Sequence, residues 1–157
     1  MKIEESRILP ECYCDTIWAN FIYGKTVRHV LGSEVANAMK KMSSGLAIGI
    51  IDNDKRKPSY FDDFKQIDQS DGLRLLQKPK SKHYLIIIDP AIEKWILDMA
   101  AKGNVKHDYS FETLKKATKN DNANRDTKLK NFLNSIKQKD IKGVNDYRKW
   151  LKQLVHE

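Results

Sequence analysis

The chain has 157 residues, a length that fits one domain with a sizeable core. It is 40% hydrophobic and 32% charged, which is typical of a globular but polar protein. No apolar run approaches the roughly 18 residues that a membrane span needs, and the N-terminus lacks the apolar segment of a signal peptide. We therefore expect a soluble, cytoplasmic protein with no membrane partner.

The net charge of +8 is distributed unevenly. Residues 1–101 carry 15 Lys/Arg and 14 Asp/Glu, whereas residues 102–157 carry 14 and 7. A basic excess confined to the last third favours a polyanionic partner, DNA or RNA. The alternative is a solvated helical surface that is simply rich in lysine.

Strand and helix patterns alternate along the first two thirds of the chain. Apolar or β-branched runs predict four strands, at residues 7–14, 26–31, 46–51 and 84–88. Amphipathic spacing and start signals predict helices between and after them, at residues 16–23, 33–42, 60–67 and 91–102. Asp15 is placed to cap the first of these helices, and Asp89-Pro90 marks the start of the last.

This alternation predicts an α/β domain over residues 1–103, with a mostly parallel sheet of about four strands and helices on both faces. Residues 104–157 have no strand pattern. Apolar residues at helical spacing there predict two or three helices, which we expect to pack on the α/β domain as a basic C-terminal extension.

Acidic residues follow three of the predicted strands. They are Glu11 and Asp15, Asp52 and Asp54, and Asp89 and Glu93. Because the carboxyl ends of parallel strands meet at one edge of a sheet, we expect these carboxylates to converge there. Converging carboxylates repel unless a cation or protons neutralise them, and Mg²⁺ or Mn²⁺ suits oxygen ligands. Each residue also has a structural alternative, as a helix cap or as part of a polar turn.

The two cysteines, Cys12 and Cys14, are separated by one residue. The histidines offer no plausible spacing for a shared zinc site. We expect both cysteines to be small buried side chains in a reducing compartment.

The sequence ECYCD before a helix, followed later by IIDND after a buried strand, resembles the toprim domain of topoisomerases, primases and several nucleases. Glu11 matches the glutamate that closes the first strand in that family, and Asp15 matches the acidic residue four positions later. Asp52 and Asp54 match its Asp-x-Asp motif. The segment DPAIEKWIL is similar to a segment of toprim-like proteins from anti-phage and restriction-associated systems, matching at Pro90, Glu93 and Trp95.

Two departures point away from topoisomerases and primases. Cys12 stands where the family usually has glycine, and Lys55-Arg56-Lys57 replaces the glycine that follows the Asp-x-Asp motif. The chain therefore most resembles the OLD-type and RloB-like toprim nuclease branch, over about residues 7–101.

The resemblance implies a metal-dependent nuclease, or a related enzyme that acts on phosphodiesters, with a setting in phage defence. It implies Mg²⁺ or Mn²⁺ ligands at Glu11, Asp15, Asp52, Asp54 and Glu93. It implies catalytic roles for Glu11, Asp52, Asp54 and Lys55, with Glu11 acting as a general base or as a ligand. Backbone contacts to nucleic acid are expected from Arg56, Lys78, Lys80 and Lys82.

Two alternatives from other classes remain at this stage. One is a catalytically inactive module that binds nucleic acid. The other is an interaction subunit of a larger assembly that contains an ATPase or another defence-system protein.

Overall fold

Five strands form one mixed sheet in the computed structural model, which describes residues 7–23, 34–42, 45–53, 57–119 and 125–155. The strands are β1 (Ile8–Pro10), β2 (Ala47–Asp52), β3 (Lys65–Ser70), β4 (Leu73–Gln77) and β5 (His83–Ile88). Their order across the sheet is β1-β2-β5-β4-β3. Strands β1, β2 and β5 are parallel, whereas β4 and β3 run antiparallel to their neighbours.

Six α-helices lie within the described ranges. They are α1 (Tyr13–Tyr23), α2 (Glu34–Lys40), α3 (Ile92–Lys102), α4 (Phe111–Ala117), α5 (Thr127–Lys137) and α6 (Lys142–Val155). The last three belong to the C-terminal extension, residues 104–157. None of the helices in these ranges is long and apolar enough to cross a bilayer.

The expected α/β class is confirmed, but the expectation of a mostly parallel sheet of about four strands is corrected. The predicted helix at 60–67 is replaced by a 3-10 helix at Ser59–Phe61 and by strand β3. Asp71 and Gly72, both with positive φ, connect β3 to β4. Such a two-residue turn matches the twist of a hairpin and adds two antiparallel strands. The predicted strand at 26–31 lies outside the described residues.

Two helix boundaries also differ from expectation. Strand β1 ends at Pro10 and α1 begins at Tyr13, so Asp15 lies in the first turn of the helix rather than at its cap. Helix α3 begins at Ile92 after the cis Asp89-Pro90 bond, with Ala91 at its N-cap. Both helices therefore begin close to the ends of the strands that precede them.

The sheet has a buried apolar layer on each face. One layer joins alternate residues of the strands, including Ile48, Ile50 and Ile86, to helices α1, α3, α5 and α6. The other joins residues such as Ile51 and Leu85 to α2. In the first layer, Trp18 lies 5.6 Å from Trp95 and 6.4 Å from Tyr147, measured between ring centroids. The extension is thus part of the main core of the protein.

Gly49 in β2 is required by the close approach of α2. A β-carbon at this position would lie 2.9 Å from Val35 Cγ1, 3.0 Å from Met39 Sδ and 3.2 Å from Leu85 Cδ1. We expect Gly49→Ala to lower the free energy of unfolding by about 1–3 kcal/mol, measured by denaturant titration, because the added methyl group overpacks this layer.

Gly45→Ala is the matched control, since a β-carbon there would meet only the Met42 carbonyl oxygen, at 3.9 Å. Its effect is expected to stay within about 0.5 kcal/mol. Equal effects of the two substitutions would contradict the tight packing of α2 on β2.

Candidate metal centre

Four acidic residues converge at the carboxyl edge of the parallel strands. Glu11 follows β1, Asp15 lies in the first turn of α1, Asp52 ends β2, and Glu93 lies in the first turn of α3. Each is at most 8% exposed. We call these four residues the acidic cluster. Their placement follows from the parallel arrangement of β1 and β2, which brings both strand ends to one edge.

Two hydrogen bonds fix the geometry of the acidic cluster. The backbone N–H of Asp52 donates to Glu11 Oε1 at 2.9 Å. The backbone N–H of Ile92, at the start of α3, donates to Asp52 Oδ1 at 3.1 Å. Asp52 therefore satisfies one of the unpaired N–H groups at the N-terminus of α3, a role that Asp89 was expected to fill.

Asp15 is the most deeply buried acid of the cluster, with no exposed surface. Its Oδ2 accepts a hydrogen bond from Cys12 Sγ at 3.0 Å. Its Oδ1 has no hydrogen-bond partner among the residues that the structure describes. A buried polar atom left in this state is costly, which makes Asp15 Oδ1 a candidate ligand atom.

Cys12, Asp15 and Asp52 each offer a ligand atom, and these atoms all lie within 4.8 Å of one another. Burial, and then the charge of Asp15, raises the pKa of the Cys12 thiol. The thiol therefore stays protonated and acts as a hydrogen-bond donor to Asp15. The carboxylate oxygens of Asp15 and Asp52 are therefore the stronger candidate ligands, and carboxylate oxygens suit a hard divalent cation.

Burial and mutual repulsion act together on Asp15. Burial raises its pKa well above the ordinary value of 3.8, and the charges of Asp52, Glu11 and Glu93 raise it further. The other three carboxylates of the cluster are therefore close enough to act electrostatically on Asp15. Either a proton or a cation can relieve this repulsion.

The remaining predicted site residues do not all lie at this edge. Asp54, Lys55 and Arg56 fall outside the described residues. Lys78, Lys80 and Lys82 flank or form the turn between β4 and β5, at the amino end of β5. That end lies one strand length from the acidic cluster, roughly 17–20 Å for six residues. Lys78 also pairs with Asp63, with 2.9 Å between Nζ and Oδ2.

A polar network missed by the sequence patterns lies beside the acidic cluster. Asn53 Nδ2 donates to the exposed Asp89, and Asn53 Oδ1 accepts from Lys57 Nζ at 3.0 Å and from Arg74 Nη2 at 3.1 Å. Arg74 reaches this edge because β4 runs antiparallel to β5. The Asp71-Gly72 dipeptide was the sequence signal for that hairpin.

Helix α6 approaches the acidic cluster from the C-terminal extension. The pKa of the buried Tyr147 hydroxyl is raised by burial and then by the charges of Asp15 and its neighbours. Among the described residues this hydroxyl has no hydrogen-bond partner. Tyr147 is therefore buried within electrostatic range of Asp15 and Asp52, and no simple sequence pattern indicated this proximity.

No known protein family, characterised protein or solved structure matches the chain.

The raised pKa of Asp15 gives a pH dependence of stability in the metal-free protein. The unfolded chain ionises Asp15 near pH 3.8, whereas the folded protein resists this ionisation, so stability falls as the pH rises above about 4. We expect Asp15→Asn to raise the thermal midpoint in EDTA at pH 7 by about 2–4 °C or more. The gain should shrink towards zero at pH 4.

Asp98→Asn provides the comparison, because Asp98 is an exposed acid on α3. It should leave the midpoint nearly unchanged at both pH values. A gain from Asp15→Asn that is equal at pH 4 and pH 7 would rule out an ionisation cost at Asp15.

Proposed function

We propose that the acidic cluster binds Mg²⁺ or Mn²⁺ and that the protein is a metal-dependent nuclease. The observation that carries the proposal is the buried Asp15, whose Oδ1 has no hydrogen-bond partner among the described residues and which lies with Asp52 and Cys12 in a group whose ligand atoms are within 4.8 Å of one another. The oxygen donors fit such an ion, and Glu11, Asp15, Asp52 and Glu93 would hold it. The bound ion would polarise a phosphoryl oxygen and activate a water molecule.

The chain's own residues have distinct parts in this proposal. Asp52 is held by the N–H of Ile92, so its carboxylate is oriented before any ion binds. Glu11 accepts from the backbone of Asp52 through Oε1 and is the proposed general base or ligand. Arg74 and Lys57 both donate to Asn53, the residue directly after Asp52, and we propose that they supply positive charge at this edge of the sheet that attracts a phosphate.

The resemblance to the toprim nuclease branch supports this chemistry on four positions of the acidic cluster. DNA or RNA is the proposed partner, and the net positive charge of the C-terminal extension supports this proposal. On the same resemblance, we propose that the protein acts with an ATPase or another subunit in phage defence. This setting rests on the family resemblance alone, whereas the metal centre also rests on geometry.

The proposal is tested by metal binding and cleavage measured on the same preparations. Mn²⁺ should raise the thermal midpoint of the wild-type protein, by an amount that grows with its concentration, because it binds the folded state. Single- and double-stranded DNA and RNA should be incubated with Mg²⁺, Mn²⁺ or EDTA. We expect Asp15→Asn and Asp52→Asn to abolish the Mn²⁺ shift and to reduce cleavage by about 100-fold or more.

Asp98→Asn is again the matched variant and should retain both signals. Binding of nucleic acid that is unaffected by EDTA and by both cluster substitutions, without cleavage, would replace the nuclease with an inactive binding module. Absence of both cleavage and binding would instead favour the interaction subunit.

A further inference from the structure

A cavity of about 370 Å³ opens beside the acidic cluster. Cys12, Cys14 and Glu93 line its inner side. Glu93 belongs to the cluster, and Cys12 donates to Asp15, so the cavity borders the candidate metal centre. Its volume is near the lower end of the roughly 300–1,000 Å³ typical of small-molecule sites. It is large enough for one small ligand and far too small for a duplex.

The outer wall of the cavity is formed by α4 and the residues directly after it. Lys115, Lys116 and Lys119 line this wall, together with the acidic Glu112. All three lysines are exposed, and within the described part of the chain none of them forms an ion pair with a carboxylate. The lining as a whole is mostly apolar, and Lys115 Nζ lies 5.7 Å from the centroid of the Phe111 ring, so the lysines present their aliphatic stems to the cavity and their charge at its exposed mouth. Positive charge at the mouth is available to a ligand that enters.

The two sides of the cavity act in opposite ways on an anion. A phosphate group placed against the lysines would be attracted by them and repelled by the carboxylates of the acidic cluster. A divalent ion on the cluster reverses the second effect and attracts the phosphate from the inner side as well. A phosphate ester is therefore the anionic group that fits between a basic wall and a metal centre.

The rest of the lining indicates what the phosphate is attached to. Tyr13, an aromatic residue at the start of α1, also lines the cavity, together with the small residues Cys14 and Thr118. Nucleobases stack on aromatic side chains in single-stranded nucleic-acid sites, without strong preference for sequence. A free phosphate ion would leave this part of the cavity unused.

We propose that this cavity binds a single unpaired nucleotide of the substrate strand, with Lys115, Lys116 and Lys119 of the C-terminal extension holding its phosphate. This inference rests on the proposed nuclease function and deepens it by naming single-stranded nucleic acid, or an unpaired end, as the substrate class. The extension then supplies phosphate-binding residues directly to the metal centre.

The test is a binding measurement on the full chain by calorimetry, with adenosine 5′-monophosphate and inorganic phosphate as probes, each with Mn²⁺ and with EDTA. We expect Lys115→Ala/Lys116→Ala/Lys119→Ala to weaken nucleotide binding about 10-fold or more, because charge-assisted contacts to the phosphate are lost. Lys130→Ala/Lys149→Ala/Lys152→Ala removes the same charge from exposed positions on α5 and α6, outside the cavity lining. It should change nucleotide binding less than about 2-fold.

A second variant tests the nucleobase part of the inference. Tyr13→Ala should weaken binding of the nucleotide by about 5-fold or more and leave binding of inorganic phosphate unchanged. Inorganic phosphate that binds as tightly as the nucleotide would overturn the assignment of a nucleotide. Equal nucleotide affinity in the Lys115→Ala/Lys116→Ala/Lys119→Ala variant and the wild type would overturn the role of the lysines.

A direct titration with Mn²⁺ separates this inference from the proposed function. The Lys115→Ala/Lys116→Ala/Lys119→Ala variant should bind Mn²⁺ as the wild type does, because the three substituted lysines are not metal ligands. If the wild type binds the nucleotide through these lysines but does not bind Mn²⁺, the cavity stands and the proposed nuclease fails. If Mn²⁺ binds and the nucleotide does not, the cavity assignment fails alone.

Discussion

Asp52 links three elements at the carboxyl edge of the sheet. Its backbone N–H donates to Glu11 after β1, and its side chain accepts from the N–H of Ile92 at the start of α3. Leaving such buried groups unpaired would cost about 1–3 kcal/mol each, so the ends of β1, β2 and α3 are held in a fixed relation. The positions of Asp15 and Glu93 depend on this arrangement, because each lies in the first turn of a helix that begins at this edge.

The same arrangement concentrates negative charge inside the protein. The many lysines of the C-terminal extension balance this charge only weakly, since most of them are exposed and screened by water. Local neutralisation must come from a proton or from a cation at the acidic cluster. The raised pKa of Asp15 favours neutralisation by a proton, and the proposed metal would supply neutralisation by a cation. A proton and a divalent ion therefore compete for the same carboxylate oxygens.

Local sequence patterns were sufficient to predict the strands that are buried on both faces of the sheet. The apolar runs at 46–51 and 84–88 correspond to β2 and β5, because strands buried on both faces lack polar residues. The hairpin was missed because residues 60–67 place aromatic and polar side chains at spacing typical of a helix, although Asp71-Gly72 indicated the turn. The convergence of the carboxylates followed from the strand ends. The approach of α4 and α6 to that edge depends on long-range packing, for which no local pattern exists.

Tyr147 affects the dielectric environment of the carboxylates rather than their positions. With Trp18 and Trp95 it forms a group of buried aromatic rings within electrostatic range of Asp15. Coulombic forces in such a region are several times stronger than in bulk water, because the local dielectric constant is low. Helix α6 thus sets the electrostatic strength of a site whose ligand atoms all belong to other elements. Side chains of the C-terminal helix that lie outside the acidic cluster can therefore tune how firmly the cluster would hold the proposed cation.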